Sequence, residues 1–269
     1  MEPHLIGYGD ELAVITVSRS AEEPVERLRA SAVRATGRPF RFLEATTGSA
    51  RAAPEVLAIG EDIGYPGAVN RAVHGLDPRV GWVAVAEPDV VWGDGALDAL
   101  LAAGERWPRA GALAPRLTDP GGGSPGVPLP GRWVADALLA PAWSRAAEPV
   151  RCGDGSDAEG PAGLLRGACL LVRRIAFDSV DGFDARYPVP LAERDFTDRL
   201  HRAGWLTVAV PGASAVRTGT GAGPAMPLDE QHRLARRYLS ERHRGLRQAP
   251  RRAMYAALLA ARCAALRRT

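Results

Sequence analysis

The sequence predicts an α/β protein, a mostly parallel central sheet flanked by helices, followed by a basic helical C-terminal extension. Three observations lead there. Short apolar, β-branched runs alternate with segments of helical spacing along the first two hundred residues. Such alternation needs crossover connections, and crossovers lay helices on both faces of a parallel sheet. After residue 219 the pattern gives way to two Arg-rich stretches of helical spacing, about 228–244 and 251–267.

Taken in order, residues 12–17 form a strand whose unbroken apolar character suits burial on both faces. Ser20 and Glu23 have the spacing of a capping box, so a helix is expected from there to about Ala35. Residues 40–45 and 56–59 are further strands. Pro66 stands where a first helical turn tolerates a missing N–H, and 68–76 continue as helix. Residues 82–86 form a strand, 95–106 a helix and 110–114 another strand. Gly/Pro-rich loops occupy 119–131 and 152–163, and loops of that length in a compact domain are often binding loops. Strand character returns at 164–172, followed by a turn at 181–184. A helix over 192–203 groups Phe196, Leu200 and Ala203 on one face, and 206–210 is the last strand. The chain therefore divides into a domain over 1–219 and an extension over 220–269.

Bulk properties narrow the function classes. Hydrophobic residues at 46% and charged residues at 24% describe an ordinary globular chain with ample core material. Every one of the 34 basic residues is Arg, which together with much Ala, Gly and Pro reads as coding bias. Cys152, Cys169 and Cys263 are scattered and odd in number, which argues against a disulfide framework or zinc site and for a reducing, cytoplasmic setting. No basic-then-apolar leader opens the chain, and the apolar-rich stretch 253–266 is interrupted by Arg262 and too short to span a bilayer. The five histidines share no metal-ligand spacing.

Charge is unevenly placed. Residues 228–269 hold 11 Arg against Asp229, Glu230 and Glu241, a balance of +8; with +3 in total, residues 1–227 carry −5. A basic tail suits an anionic surface, whether phospholipid or nucleic acid, or is simply a solvated helical face. No nucleic-acid motif accompanies it, and Tyr238 and Tyr255 are its only aromatics, so nucleic acid is not the expected partner.

Two segments carry the chemistry. Gly64-Tyr65-Pro66-Gly67 opens a helix, and Ala86-Glu87-Pro88-Asp89-Val90 ends a strand in carboxylates. Free N–H groups at a helix start attract phosphate, and a strand-end carboxylate anchors a metal or a sugar. Taken alone, an Asp such as Asp89 more often caps a turn after a strand.

Placed beside residues 13–18, 107–113, 167–174, 182–184 and 198–205, these segments resemble the family-2 inverting glycosyltransferases of GT-A fold. Within that family they are similar to actinobacterial rhamnosyltransferases acting on a lipid-linked GlcNAc diphosphate. The likeness spans roughly 11–215. It implies a Rossmann-like GT-A domain that moves a sugar from a nucleoside diphosphate to a hydroxyl acceptor on a glycan or polyprenyl lipid. A peripheral position at the inner face of the membrane follows, with the basic helices on anionic lipid.

The resemblance also assigns residues. Thr16 and Ser18 of the first strand, with Thr46 in the Thr46-Thr47-Gly48-Ser49 turn, cradle the nucleoside; Thr46 and Thr47 stand where Asp-Asn is usual. Gly64, Asn70, Asp89 and Arg217 complete the nucleotide-sugar site. Asp89 matches the last acid of the motif that holds Mg2+ or Mn2+, here Glu87-Pro88-Asp89 where Asn-Pro-Asp is common. Glu193 takes the position of the catalytic Asp, Ala192 replaces the Glu before it, and Asp195 is retained; read locally, both acids are also residues favoured in a first helical turn. Gly167, Ala168 and Trp133 lie where the acceptor enters, and Trp133 and Trp143 suit either sugar stacking or core anchoring. Arg217 replaces a His that usually helps hold the metal. A guanidinium has no lone pair for a cation, so Arg217 is expected to contact the diphosphate directly and weaken metal dependence. Departures at Thr46, Ala192-Glu193 and Arg217 also fit a non-catalytic scaffold built on the same fold.

Overall fold

The computed structural model of the chain describes residues 8–19, 24–47, 55–59, 63–121, 158–162, 168–187, 189–219, 233–234 and 237–238. The chain forms two compact units, residues 1–125 with 149–221 and residues 126–148 with 222–269. In the second unit the described residues are helical, and Leu234 and Tyr238, one turn apart, are buried. The first unit carries the sheet. Among the described residues no helix is long and apolar enough to cross a membrane.

The elements follow the order β1 (Glu11–Ser18), α1 (Val25–Ala35), β2 (Phe40–Thr46), β3 (Val56–Ala58), α2 (Gly64–His74), β4 (Val80–Ala86), β5 (Val90–Trp92) and α3 (Ala96–Arg106). Then come β6 (Ala110–Thr118), β7 (Gly160–Pro161), β8 (Cys169–Arg173), α4 (Arg174–Ser179), α5 (Val189–Arg202) and β9 (Leu206–Arg217). Strand order in the sheet is β3-β2-β1-β4-β8-β6-β9-β5, with β7 on β9. The half from β3 to β4 is parallel, as crossover helices require. Strand β8 enters antiparallel between β4 and β6, and β5 lies antiparallel on β9, so the sheet as a whole is mixed.

Burial explains the strand sequences. Every residue of β4 is buried, which is why Val-Gly-Trp-Val-Ala-Val-Ala shows no alternation. Leu28, Ala32 and Ala35 of α1 and Leu97, Leu100 and Leu101 of α3 pack with Leu12, Val14 and Trp92 in one cluster. Elsewhere Phe177, Phe183 and Phe196 form an aromatic cluster, with centroid separations of 4.5 Å (Phe183–Phe196), 5.7 Å (Phe177–Phe196) and 5.9 Å (Phe177–Phe183).

Several boundaries differ from the sequence reading. Helix α1 begins at Val25 behind Pro24, and the capping pair Ser20 and Glu23 lies outside the described residues. Strands β5 and β7 and helix α4 were not foreseen. The last strand does not stop at Val210 but runs to Arg217. Its register against β6 jumps from Pro115↔Val210 to Arg116↔Ser214, so the Pro211-Gly212 break is absorbed as an irregularity and pairing resumes.

Candidate active site

The turn leaving β4 assembles the site. The Glu87 N–H donates to the Ala168 carbonyl at 2.7 Å, extending the β4–β8 pairing. The chain then turns over Pro88, with Val90 N–H donating to Glu87 O at 3.1 Å. Proline suits the second position of such a turn because its φ is already set. Strand β5 leaves antiparallel to the end of β9, with Val90 opposite Arg217. The Thr218 N–H and hydroxyl both donate to Asp89 O, at 2.8 and 2.9 Å. Backbone register thus delivers Arg217 to the carboxylates on either side of Pro88.

There the guanidinium spans both acids. Arg217 Nε donates to Asp89 Oδ2 at 3.2 Å, and Nη2 donates to Glu87 Oε2. The three side chains are only 12–16% exposed, so these are charge-assisted contacts largely shielded from water. A Cβ at Gly219 would stand 2.7 Å from Asp89 Oδ2, so the chain can pass this close only as glycine. Burial pushes the Glu87 carboxyl up to about 7, with Arg217 pulling it down and Asp89 pushing it further up. Asp89 Oδ1 is buried without a hydrogen-bond partner.

Glu193 is linked to this group by its charge acting on Tyr65. The Tyr65 hydroxyl, in the first turn of α2, is buried and has no hydrogen-bond partner. Burial raises its pKa well above the usual phenol value, the charges of Glu87 and Glu193 raise it further, and Arg217 opposes them. The charges of Glu87, Glu193 and Arg217 all act on this one phenol.

No family model matches the chain. Two relatives from different strains of Mycobacterium tuberculosis, both curated as N-acetylglucosaminyl-diphospho-decaprenol L-rhamnosyltransferase, are 39% identical over 269 residues, covering 90% of this chain and 88% of theirs. The chain belongs to this glycosyltransferase family. The fold agrees. A GalNAc-T7 structure with UDP, GalNAc and Mn2+ matches at TM-score 0.59 and 11% identity, covering 84% of this chain. Staphylococcus aureus TarS 1–349 matches at TM-score 0.55 and 11% identity, covering 86% of this chain. The chain spans 48% of the first of these structures and 65% of the second.

Other residues expected in the glycosyltransferase site are held differently. Asn70 accepts from Phe183 N–H at 2.9 Å and donates to Phe183 O at 2.7 Å, so its amide ties α2 to the 181–184 turn. Asp195 accepts from Arg199 Nε at 2.6 Å, and Arg199 Nη1 donates to Gly182 O at 2.7 Å and to Val180 O. Asp195 thus braces the same turn. Thr16 is fully buried with its hydroxyl unpartnered, and Ser18 Oγ donates to Glu44 Oε1 at 2.5 Å. Thr46 closes β2, buried, its carbonyl accepting from Ile59 N–H at 3.0 Å. Gly64 is the first residue of α2, and buried Ala168 offers its carbonyl to Glu87. Gly48, Ser49, Trp133, Trp143 and Gly167 lie outside the described residues.

Sequence reasoning placed Glu87 and Tyr65 in the two chemical segments without giving either a role of its own, and it did not single out Glu44. Glu44 had a readable signal, because it precedes Thr46 by two and period two puts both on one face of β2.

The donor set does not suit a divalent cation. Asp89 Oδ1, a buried oxygen without a partner, is one atom a cation would seek. However, Asp89 Oδ2 and Glu87 Oε2 are already engaged by Arg217, whose positive charge would face any metal bound there. Among the described residues no three His, Cys, Asp or Glu side chains gather as a metal group.

Proposed function

We propose that this glycosyltransferase moves a sugar, rhamnose as in its curated relatives, from a nucleoside diphosphate to a hydroxyl of a polyprenyl-linked GlcNAc diphosphate. The observation that carries the proposal is the pairing of Arg217 with both Glu87 and Asp89 where β4 ends. Open α/β sheets bind ligands at the carboxyl ends of their strands.

The chemistry follows from these groups. Glu193 takes the proton of the acceptor hydroxyl as its oxygen attacks the anomeric carbon. The bond from that carbon to the donor phosphate breaks, the electron pair leaves with the diphosphate, and Arg217 stabilises the charge that develops. A single in-line displacement inverts the anomeric centre. Glu44, oriented by Ser18, takes over recognition of the nucleobase from Thr46, which lacks a carboxylate. Asn70 and Asp195 position the 181–184 turn instead of touching the donor. Mg2+ or Mn2+ at Asp89 stays outside this scheme, because the residues there do not fit it. The +8 balance of residues 228–269 supports a seat on anionic lipid, where the acceptor resides.

Incubation with dTDP-rhamnose and a polyprenyl-diphosphate GlcNAc should extend the acceptor by one deoxyhexose, seen by mass spectrometry, and Glu193→Gln should abolish the product. Donor binding with no transfer to any acceptor would favour the non-catalytic scaffold. For the tail, flotation with phosphatidylglycerol vesicles should carry the full chain and leave a 1–227 truncation behind; equal flotation would remove the membrane reading.

A further inference from the structure

We infer that Arg217 replaces the divalent cation at this site: its guanidinium, fixed by Glu87 and Asp89, presents its remaining N–H donors to the donor diphosphate, so donor binding requires no metal. The inference rests on the donor-site reading above and adds to it that the donor binds without a metal.

Three observations carry it. First, the guanidinium is oriented from two sides, Nε on Asp89 Oδ2 at 3.2 Å and Nη2 on Glu87 Oε2. With both carboxylates engaged by one fork in a largely buried place, a cation binding there would have to displace the guanidinium or face its like charge. Second, Nη1 has no partner among the described residues and is not sealed from solvent, so donor N–H groups remain for a phosphate. Third, Glu87 and Arg217 are in contact across 130 residues of sequence. Their opposite charges satisfy each other. An isolated Arg beside Asp89 would be less well oriented, and an isolated Glu there would repel the diphosphate. Asp89 Oδ1, still unpartnered, is then left to accept a hydroxyl of the donor.

The test is calorimetric titration of UDP and dTDP into the full chain, in excess EDTA and in excess MnCl2. Equal affinity in both, weakened roughly 10- to 100-fold by Arg217→Ala, is the expected result. Arg217→Lys, which keeps the charge without the fork, should fall between the two while melting near the wild type. Electron paramagnetic resonance adds a readout independent of activity. The wild type with nucleotide should immobilise no more Mn2+ than nucleotide alone, whereas Glu87→Asn/Arg217→His should gain a bound ion and need it to bind nucleotide. Nucleotide binding by the wild type only with Mn2+ would overturn the inference and leave the donor site standing. Binding of neither nucleotide under either condition would overturn the donor-site reading, and this inference with it.

Discussion

Phe196 links the packing of α5 to the placement of Glu193, and Phe196→Ala makes that link measurable. The ring is 1% exposed and lies 4.5 Å from Phe183 and 5.7 Å from Phe177, centre to centre. Removing it deletes a buried aromatic from a cluster whose neighbours are themselves held: Phe183 by Asn70 at both backbone atoms, Phe177 by α4. Partial relaxation leaves a cavity, and such substitutions cost about 3–5 kcal/mol. At roughly 2–4 °C per kcal/mol for a domain of this size, the melting temperature should fall by about 10 °C. Glu193 precedes Phe196 by three residues, one turn along the same helix, so a loosened α5 should lower kcat more than donor affinity. Urea unfolding of the wild type, Phe196→Ala and Phe196→Leu is the assay, with the leucine variant expected within about 1.5 kcal/mol of the wild type. A Phe196→Ala protein within 1 kcal/mol of the wild type would refute the reasoning, because the ring would then not close a packed cluster.

Glu193→Gln should lower kcat by about 10²- to 10⁴-fold with little change in donor affinity, since the amide keeps the shape and loses the base; an unchanged kcat would remove Glu193 from the mechanism. Glu44→Gln should weaken UDP and dTDP binding about tenfold by calorimetry, while equal affinity would leave Ser18–Glu44 a purely structural pair. His201 supplies a pH test. Its ring is half-buried with Nε2 2.9 Å from Thr207 Oγ1; the Thr207 proton goes to Ala162 O, so Nε2 carries the proton and donates. Burial lowers its pKa below the 6.5 of the free side chain, so the unfolded chain binds the extra proton first on acidification. The His201 contribution is therefore complete above about 6.5 and lost as pH falls below it. Melting curves from pH 7.5 to 5 should slope less for His201→Gln than for the wild type, and parallel slopes would contradict this.

Much of the molecule was legible because the energies concerned are local. The unbroken apolar runs at 12–17 and 82–86 marked strands covered on both faces, and β1 and β4 are those strands. Helical spacing located α1, α2, α3 and α5 to within a few residues. Strand β5 and helix α4, three and six residues long, carry too few residues for a period to show. The end of β9 was misread for a different reason. Pro211-Gly212 is a local break signal, and only pairing with β6 and β5 on either side outweighs it.

The sequence by itself determined the strand–helix alternation, the family, and the chemical types available: a carboxylate after β4, acids in α5, a guanidinium at Arg217. Tertiary structure decided which of those groups meet. Glu87 and Arg217 meet because β5 and β9 close in one register, a contact whose chain-closure entropy no local spacing records. Asn70 and Asp195, site residues by motif, are drawn to the backbone around Phe183 and to Arg199. Strand and helix signals survive in a one-dimensional string because neighbours along the chain create them. Which carboxylate stays open for a ligand depends on neighbours that only the folded sheet supplies.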